Sequence, residues 1–145
     1  KKKYNLAVGD QTAEEVKIKI GAAVSLEEEL RVTIKGRDHI QGLPRSAQVS
    51  TNEIVKAING ELKQIIKAIK DVLALTPPEL ASDIIDYGII MTGGTSQLRN
   101  FPDLVYRKTG VKAILADESL FCVVKGTGIA LDHLDVYKKT ILSKK

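Results

Sequence analysis

The longest regular pattern in the sequence runs from Ser50 to Thr76 and predicts a single long amphipathic helix. Its start has the form of a capping box, because Glu53 follows Ser50 three residues later. Its end is set by Pro77, since a proline disfavours the helical conformation in the residue before it. The apolar side chains recur at helical spacing, at Ile54, Ile58, Leu62, Ile65, Ile69 and Val72. We expect this stripe to face a hydrophobic core rather than a separate partner.

A shorter helix and a hairpin are predicted before the long helix. The short helix begins near Thr12, with Glu15 as its capping-box partner, and ends at Gly21. Alternating patterns at residues 30–34 and 46–49 predict two strands, which a turn-rich stretch joins into a β-hairpin.

Strands and helices alternate after the long helix. Residues 87–91 are continuously apolar, as in a buried strand, and run into a turn that contains Gly93 and Gly94. The next predicted elements are a helix, a buried strand and a helix, at residues 102–109, 112–115 and 120–134. This order predicts the α/β fold class.

These patterns divide the chain into two subdomains. Breaks at Gly21 and Pro77 separate an α/β part, residues 1–21 and 83–145, from an inserted part with the hairpin and the long helix, residues 22–82. At 145 residues the chain is long enough to bury a core but short for a complete two-lobed enzyme.

The formal net charge of +4 comes from the ends of the chain. Without seven terminal lysines, the remainder carries 15 basic and 18 acidic residues. Those lysines are Lys1, Lys2, Lys3, Lys138, Lys139, Lys144 and Lys145. A basic stripe with interleaved aromatic residues, the usual mark of a nucleic-acid-binding surface, is missing from the body of the chain, so no nucleic-acid partner is expected.

Residues that often serve redox chemistry or metal binding are few. Cys122 is the only cysteine and lies in an apolar run, which favours a small buried hydrophobe and a reducing compartment. His39 and His133 have no second ligand at metal-binding spacing, so surface or structural roles are expected for both. No apolar stretch approaches the length of a membrane span.

The turn over residues 92–96, Thr-Gly-Gly-Thr-Ser, is the strongest candidate for a ligand site. Two residues without side chains let the backbone approach a ligand closely just past a strand end, and a nucleotide is a natural occupant. Tight packing explains such a turn equally well, and the pattern is neither a Walker A loop nor a complete dinucleotide fingerprint. Glu14 and Lys17, on one helix face, fit either a surface ion pair or the flanks of a base and ribose.

Several segments together resemble the MreB family of bacterial actins. Residues 9–17, Gly-Asp-Gln-Thr-Ala-Glu-Glu-Val-Lys, are similar to an MreB helix segment. The Gly-Arg-Asp and Gly-Leu-Pro stretches at 36–38 and 42–44 are similar to its hairpin. Further landmarks follow in the same order, at residues 76–80, 83–86, 92–94 and 126–128. The resemblance covers nearly the whole chain, and ordered segments are more specific than one glycine turn.

The resemblance implies an actin-like ATPase lobe, ribonuclease H-like in fold, with an inserted β-hairpin plus long-helix subdomain. ATP or ADP would lie between two lobes, of which this chain supplies the second, C-terminal one. The helix segment would contact the adenosine through Glu14, Glu15, Val16 and Lys17. The turn would lie along the base, ribose and α-phosphate through Gly93, Gly94, Thr95, Ser96 and Gln97.

The resemblance also implies self-association into filaments that govern cell shape, with cell-wall elongation proteins as further partners. The phosphate loops, the residues that hold Mg²⁺ and the segment that attaches filaments to the membrane would belong to the other half of the protein. We therefore expect a cytoplasmic protein whose membrane-associated filaments need the intact molecule. This chain alone should bind nucleotide weakly and should not hydrolyse it.

The chain departs from the family pattern at three positions, one of which is Tyr87 in place of a common arginine. Thr95 replaces a third glycine usual in MreB, which argues against a positive φ there. Ser119 stands where MreB often has proline and would cap the helix that follows.

Two other interpretations fit the sequence. The matching lobe of an Hsp70-like chaperone or a sugar kinase shares the fold and the Gly-Gly turn, although the landmarks at 42–44 and 76–80 argue against it. A non-nucleotide interaction module would use the glycines for packing only.

Overall fold

Two β-sheets organise the chain in a computed structural model that describes the backbone of residues 3–142 and the side chains of residues 3–138. The strands are β1 (Leu6–Ala7), β2 (Arg31–Asp38), β3 (Pro44–Ser50), β4 (Ile89–Met91) and β5 (Ala113–Leu115). The helices are α1 (Asp10–Ile20), α2 (Thr51–Leu75), α3 (Pro78–Tyr87), α4 (Phe101–Thr109), α5 (Cys122–Asp132) and α6 (Leu134–Leu142). One sheet has the order β1-β2-β3 and the other pairs β4 with β5. The charged side chains of Lys1, Lys2, Lys139, Lys144 and Lys145 lie outside the part of the chain whose side chains are described.

The predicted hairpin is present as an antiparallel pair of β2 and β3, in which Val32 faces Val49. β1 adds to the other edge of β2, where Leu6 pairs with Asp38. Val16 of α1 is buried in the same hydrophobic cluster as Val49. Helix α1 therefore packs on the hairpin sheet.

Asp38 organises the turn of the hairpin. Its carboxylate accepts hydrogen bonds from the backbone amides of Ile40 and Gln41 at 2.8 and 3.0 Å and from the Arg45 guanidinium at 2.9 Å. The Gln41 amide, the Arg45 guanidinium and the Ile40 amide, in that order, lower the pKa of Asp38 to about 2, because they stabilise its charged form. The Gly-Arg-Asp stretch therefore has a structural role in this turn.

The long helix α2 begins and ends as predicted. The Ser50 amide donates a hydrogen bond to the Glu53 carboxylate at 3.0 Å, within the expected capping box. After Leu75 the backbone becomes extended at the residue before the proline pair. Leu62 is buried in the core, whereas Val72, at the far end of the predicted stripe, is 66% exposed. The core interpretation of the stripe is therefore wrong at Val72, because the described elements do not cover the last turns of α2.

The α/β part contains the predicted strand–helix–strand unit. β4 and β5 form a parallel pair, and α4 connects them. Met91 of β4 and Val105 of α4 share one buried cluster with Leu62 and Ile66 of α2. The middle of α2 therefore packs against this unit. The arrangement confirms the predicted α/β class.

Helix α1 begins earlier than predicted. Its N-cap is Gly9, and the amide of Ala13 donates a hydrogen bond to the Gly9 carbonyl at 3.1 Å. Thr12 therefore lies inside the first turn, and the predicted capping box of Thr12 and Glu15 is wrong. Glycine is itself a favourable N-cap residue, so the helix starts without a side-chain cap.

Two helices go beyond the sequence-based prediction. α3 begins at Pro78, because proline fits the first turn of a helix, where its missing amide has no partner to lose. The predicted helix over residues 120–134 is present as α5, and α6 follows it as a further helix from Leu134 to Leu142. Cys122 is only partly buried, and its predicted burial is wrong because no described element covers the apolar residues of α5. Among the described helices, none combines the length and apolar character needed to cross a membrane.

The division into residues 1–21 with 83–145 and residues 22–82 remains a prediction. The two sheets are separate, but the hydrophobic clusters join elements from both sides of the proposed boundaries. Helix α1 packs with the hairpin, and α2 packs with β4 and α4.

Candidate functional site

The glycine turn follows β4, and its two glycines have different conformations. Gly93 has a φ of 85°, in the left-handed region that favours glycine. Gly94 has φ −68° and ψ −38°, which are ordinary helical values, and it leads into a short 3₁₀ turn at Thr95–Gln97. Thr95 has no positive φ, as predicted. The backbone of this turn therefore requires glycine at position 93 and tolerates other residues at 94 and 95.

Ser119 braces the turn from the segment between β5 and α5. The Gly93 amide donates a hydrogen bond to the Ser119 carbonyl at 2.7 Å, and the Gln97 side-chain amide donates to the Ser119 hydroxyl at 2.9 Å. Ser119 is almost fully buried. The predicted helix-capping role of Ser119 is wrong, because α5 begins at Cys122 with Phe121 as its N-cap.

The predicted turn residues differ in what they present to a ligand. The Ser96 hydroxyl donates to the Gly93 carbonyl at 2.5 Å, and Ser96 is buried. Its side chain therefore stabilises the turn from within. Gly94, Thr95 and Gln97 are exposed. A ligand would meet the turn mainly through the backbone and through these three residues.

The predicted residues of α1 also divide into exposed and buried members. Glu14 and Lys17 form an ion pair at 2.7 Å, with 56% and 40% of their side chains exposed. Glu15 is exposed and accepts a hydrogen bond from Gln11 at 3.4 Å. Val16 is buried against the hairpin. The buried Val16 side chain is therefore not available to a ligand, whereas the other three side chains remain accessible.

The end of α1 lies against the segment that follows the turn. The Arg99 guanidinium donates to the Lys19 carbonyl at 2.9 Å, and the Ala23 amide donates to the Arg99 carbonyl at 2.8 Å. At Gly21, a Cβ atom would lie 2.9 Å from Cδ1 of Leu98, so glycine permits this close approach. These contacts join two regions that are far apart in the sequence.

This junction joins residues that lie just after each of the two predicted site segments. Lys17 precedes Lys19 by two residues, which is about 3 Å of helix rise. The turn ends at Gln97, two residues before Arg99. A direct approach of the Glu14 side chain to the Gly94 backbone remains a prediction.

The turn offers groups for binding rather than for catalysis. Residues 92–97 contain glycine, hydroxyl and amide residues, with no acid, histidine or cysteine. Mg²⁺ is usually held through carboxylates together with water and phosphate oxygens, so the turn itself does not fit a magnesium site. In the part of the chain that the structure describes, no group of three or more His, Cys, Asp or Glu residues is placed to hold a metal ion.

Two surface cavities lie away from the turn. A polar cavity of about 320 Å³ is lined by residues that include Tyr4, Arg31 and Glu53. An apolar cavity of about 380 Å³ lies between α2 and α3, beside Ile69 and Ile84. None of the predicted nucleotide-binding residues lines either cavity. The candidate site is thus not part of either of these two cavities.

Comparisons of the sequence identify its relatives. Residues 1–139 match the family model of the MreB/Mbl protein. The chain is 38% identical over 143 residues to the cell shape-determining protein Mbl of Bacillus subtilis, and the match covers 99% of this chain and 43% of that protein. It is 35% identical over 144 residues to the cell shape-determining protein MreB of Escherichia coli, covering 99% and 42%. The chain thus spans less than half the length of these relatives.

Solved structures show the same fold. MreB5 of Spiroplasma citri bound to AMPPNP superposes with a TM-score of 0.87 at 35% identity, over 97% of this chain and 42% of that one. Its ADP-bound structure gives a TM-score of 0.86 at 36% identity, over 99% and 43%. These likenesses confirm the actin-like fold that the resemblance implies. The chain belongs to the MreB/Mbl family.

Proposed function

We propose that this chain forms one side of the nucleotide cleft in an MreB/Mbl-type protein that binds ATP or ADP. The observation that carries the proposal is the exposed glycine turn after a parallel strand, braced by Ser119 and adjoined by the end of α1. Open α/β sheets bind ligands outside the carboxyl ends of their strands. Two MreB structures of this fold are bound to AMPPNP and ADP, which supports the same ligand class here.

The two site segments would have different tasks. On α1, the exposed Glu14, Glu15 and Lys17 side chains supply charged hydrogen-bonding groups for the adenosine, while the burial of Val16 fixes the helix on the hairpin. In the turn, Gly93 and Gly94 leave room for the base, ribose and α-phosphate beside the backbone.

Hydrolysis would depend on groups outside these residues. Phosphoryl transfer needs Mg²⁺, donors that cradle the phosphates and an oriented water. Mg²⁺ would neutralise charge that develops on the phosphates, but the turn contains no carboxylate to hold it. We assign those groups to the part of the family's length that this chain does not span. The chain alone would bind nucleotide weakly, because half a cleft leaves the charges of the ligand in water, and it would not turn over ATP.

The biological role would be that of the relatives. Both are cell shape-determining proteins, so we place this chain in a protein whose copies assemble into filaments that govern cell shape. Cell-wall elongation proteins would be its partners. The filaments would lie in the cytoplasm and contact the membrane only through the remainder of the protein.

The nucleotide proposal is tested by titrating the purified chain with a fluorescent ADP analogue. Gly94→Asp places a negative side chain on the exposed backbone of the turn and should weaken binding by about tenfold or more, since like charges repel at close range. Gly60→Asp is the matched control. Position 60 lies on the exposed surface of α2 with open space around its Cβ position, so the same change should leave binding within about twofold.

Equal affinities for the two variants would contradict the proposed site. Absence of any ADP binding by the wild-type chain at millimolar nucleotide would favour the non-nucleotide interaction module, in which the glycines serve packing.

A further inference from the structure

The last turn of α1 receives a hydrogen bond from a distant side chain. The final four carbonyl groups of a helix have no amide partner within the helix and must find one elsewhere. Here the Gly21 amide donates to the Lys17 carbonyl at 2.8 Å, and the Arg99 guanidinium donates to the Lys19 carbonyl at 2.9 Å. Arg99 therefore caps α1 from a position 80 residues further along the chain.

The charge of Arg99 suits this position. A helix carries partial negative charge at its C-terminal end, so a cation there is stabilising. A hydrogen bond from a charged donor is also stronger than one between neutral groups. Arg99 is exposed, so solvent screening weakens both effects. The junction therefore depends on a second hydrogen bond that the same residue makes.

This second hydrogen bond uses the backbone of Arg99. The Ala23 amide donates to the Arg99 carbonyl at 2.8 Å, and Ala22 forms an isolated parallel bridge with Arg99. Ala22 and Ala23 are both buried, so their backbone groups are shielded from water. One residue thus binds the chain on both sides of Gly21, through its side chain before the glycine and through its backbone after it.

Arg99 is itself held in place by its neighbours. The Phe101 amide donates to the Leu98 carbonyl at 3.0 Å, and Phe101 is buried in the same cluster as Met91. Leu98 packs against that cluster. Asn100 has a φ of 58°, in the left-handed region that asparagine adopts more readily than most residues. Arg99 therefore lies between anchored residues, at a fixed place relative to β4 and the turn that follows it.

The buried side chains of α1 pack on a different part of the chain. Val16 and Ile20 are buried with Val49 of the hairpin sheet. The glycine turn follows β4, whose Met91 is buried with Val105 of α4. Side-chain packing therefore joins α1 to the hairpin, whereas the junction at Arg99 joins it to the unit that carries the turn.

We propose that Arg99 is a positioning residue for the nucleotide site. It holds the end of α1, which would contact the adenosine, at a fixed distance from the turn, which would contact the base, ribose and α-phosphate. A ligand that contacts both segments binds more tightly when their spacing is set beforehand, because less of the binding free energy is spent on ordering them. The inference rests on the proposed function, because it assumes that both segments contact one nucleotide.

The first measurement is the ADP affinity of three variants. Arg99→Ala removes the side-chain link and should weaken ADP binding about fivefold or more. Arg99→Lys keeps the charge and a donor for the single carbonyl, so its affinity should return to within about twofold of the wild-type value. Arg107→Ala is the matched control, because it removes an exposed arginine from the last turn of α4, and it should change ADP affinity by less than about twofold.

The second measurement separates positioning from a general loss of stability. Backbone amide chemical shifts are followed in wild type and in Arg99→Ala as ADP is added. In the variant, the shift changes of residues 14–17 should shrink relative to those of residues 93–97, because α1 is no longer held beside the turn. A fold that is merely less stable would lose both sets of changes in proportion, which would contradict the positioning role.

The third measurement needs no nucleotide. Hydrogen exchange of the Ala23 amide should quicken about fivefold or more in Arg99→Ala, since its bond to the Arg99 carbonyl breaks when the junction opens, and should stay within about twofold in Arg107→Ala. Unchanged exchange in Arg99→Ala would overturn the inference whether or not the chain binds ADP. Equal ADP affinities of Arg99→Ala and Arg107→Ala would overturn it as well.

Failure of the proposed function gives a different result. The wild-type chain would then bind no ADP at millimolar nucleotide, while the exchange of Ala23 would still respond to Arg99→Ala. That combination would contradict the nucleotide site, and with it the assignment of Arg99 to that site, but would leave the junction between α1 and the turn segment in place.

Discussion

The backbone amide of Gly93 donates a hydrogen bond to the carbonyl of Ser119 at 2.7 Å, although α4 and β5 lie between them in the sequence. The Ser119 hydroxyl accepts a second hydrogen bond from Gln97 at the other end of the turn. One buried residue thus holds both ends of the candidate ligand turn. The shape of the turn therefore depends on the segment that leads into α5.

Ser119→Ala should destabilise the protein and loosen the turn. The substitution removes the acceptor for the Gln97 side chain, and a hydrogen bond of this kind contributes about 1 kcal/mol. The measurement is urea unfolding of Ser119→Ala, Gln97→Ala and the double variant. The account predicts that the double variant costs less than the two single changes added together. Strict additivity would show that the two side chains do not interact in solution.

Gly93 and Gly94 should respond differently to alanine. Gly93→Ala forces a side chain into the left-handed region and should cost about 1–2 kcal/mol in the free energy of unfolding. Gly94→Ala should stay within about 0.5 kcal/mol, since its backbone is helical and the neighbouring Leu120 is exposed enough to move. Chemical denaturation of both variants compares them directly. Equal losses would mean that the two glycines do not have the conformations described.

The α1 residues should separate ligand binding from stability. Glu14→Gln and Lys17→Met break an exposed ion pair and should change the free energy of unfolding by less than about 1 kcal/mol, while ADP affinity falls. Val16→Ala should cost about 1–3 kcal/mol because it leaves a cavity in the cluster under the hairpin. Unfolding curves and ADP titrations on the same samples make the comparison. Unchanged ADP affinity in both surface variants would show that Glu14 and Lys17 form an ordinary surface ion pair with no part in ligand binding.

Acid should weaken the hairpin turn through Asp38. Its pKa lies at about 2 in the folded protein, below the ordinary value of 3.8, so the unfolded chain takes up a proton first as the pH falls. The contribution to stability is therefore complete above the ordinary pKa and is lost as the pH drops through about 2. Urea unfolding across this pH range should show that the free energy of unfolding depends less steeply on pH in Asp38→Asn than in the wild-type chain.

Part of the acid slope should remain in that variant. The pKa of Glu53 is lowered in the same direction, to about 2, first by Lys3 and then by the Ser50 amide. Asp38→Asn combined with Glu53→Gln should therefore flatten the slope further. If the free energy of unfolding of the double variant depends on pH as steeply as that of the wild-type chain, other acidic residues control the loss of stability at low pH.

The sequence predicts those features that depend on neighbouring residues. Ser50 and Glu53 lie one helical turn apart, so their capping box is a local signal, and the proline pair after Thr76 marks the end of α2 equally locally. The start of α3 was not predicted from the same proline pair, because a proline that ends one helix also fits the first turn of the next. The position of the glycine turn after β4 was also evident from local pattern.

Features that depend on distant residues have no such signal. From the sequence, Ser119 is predicted to cap a helix. Its hydrogen bond with Gly93 forms only in the folded chain, because the two residues are far apart in the sequence. Positive φ values also occur at Asn100, just before α4, and at Glu118, after β5. The exposure of α5 is not predictable from its apolar sequence, because burial depends on which elements pack against a helix, and none of the described elements buries α5.

The central claim is that the end of α1 and the glycine turn form one nucleotide-binding surface. The most direct measurement is a map of backbone amide chemical shifts in the labelled chain as ADP is added. The account predicts that the largest changes fall in residues 14–17 and 93–97, with the same concentration dependence in both segments. Changes confined to the polar cavity around Tyr4, Arg31 and Glu53, or no changes at millimolar ADP, would contradict it.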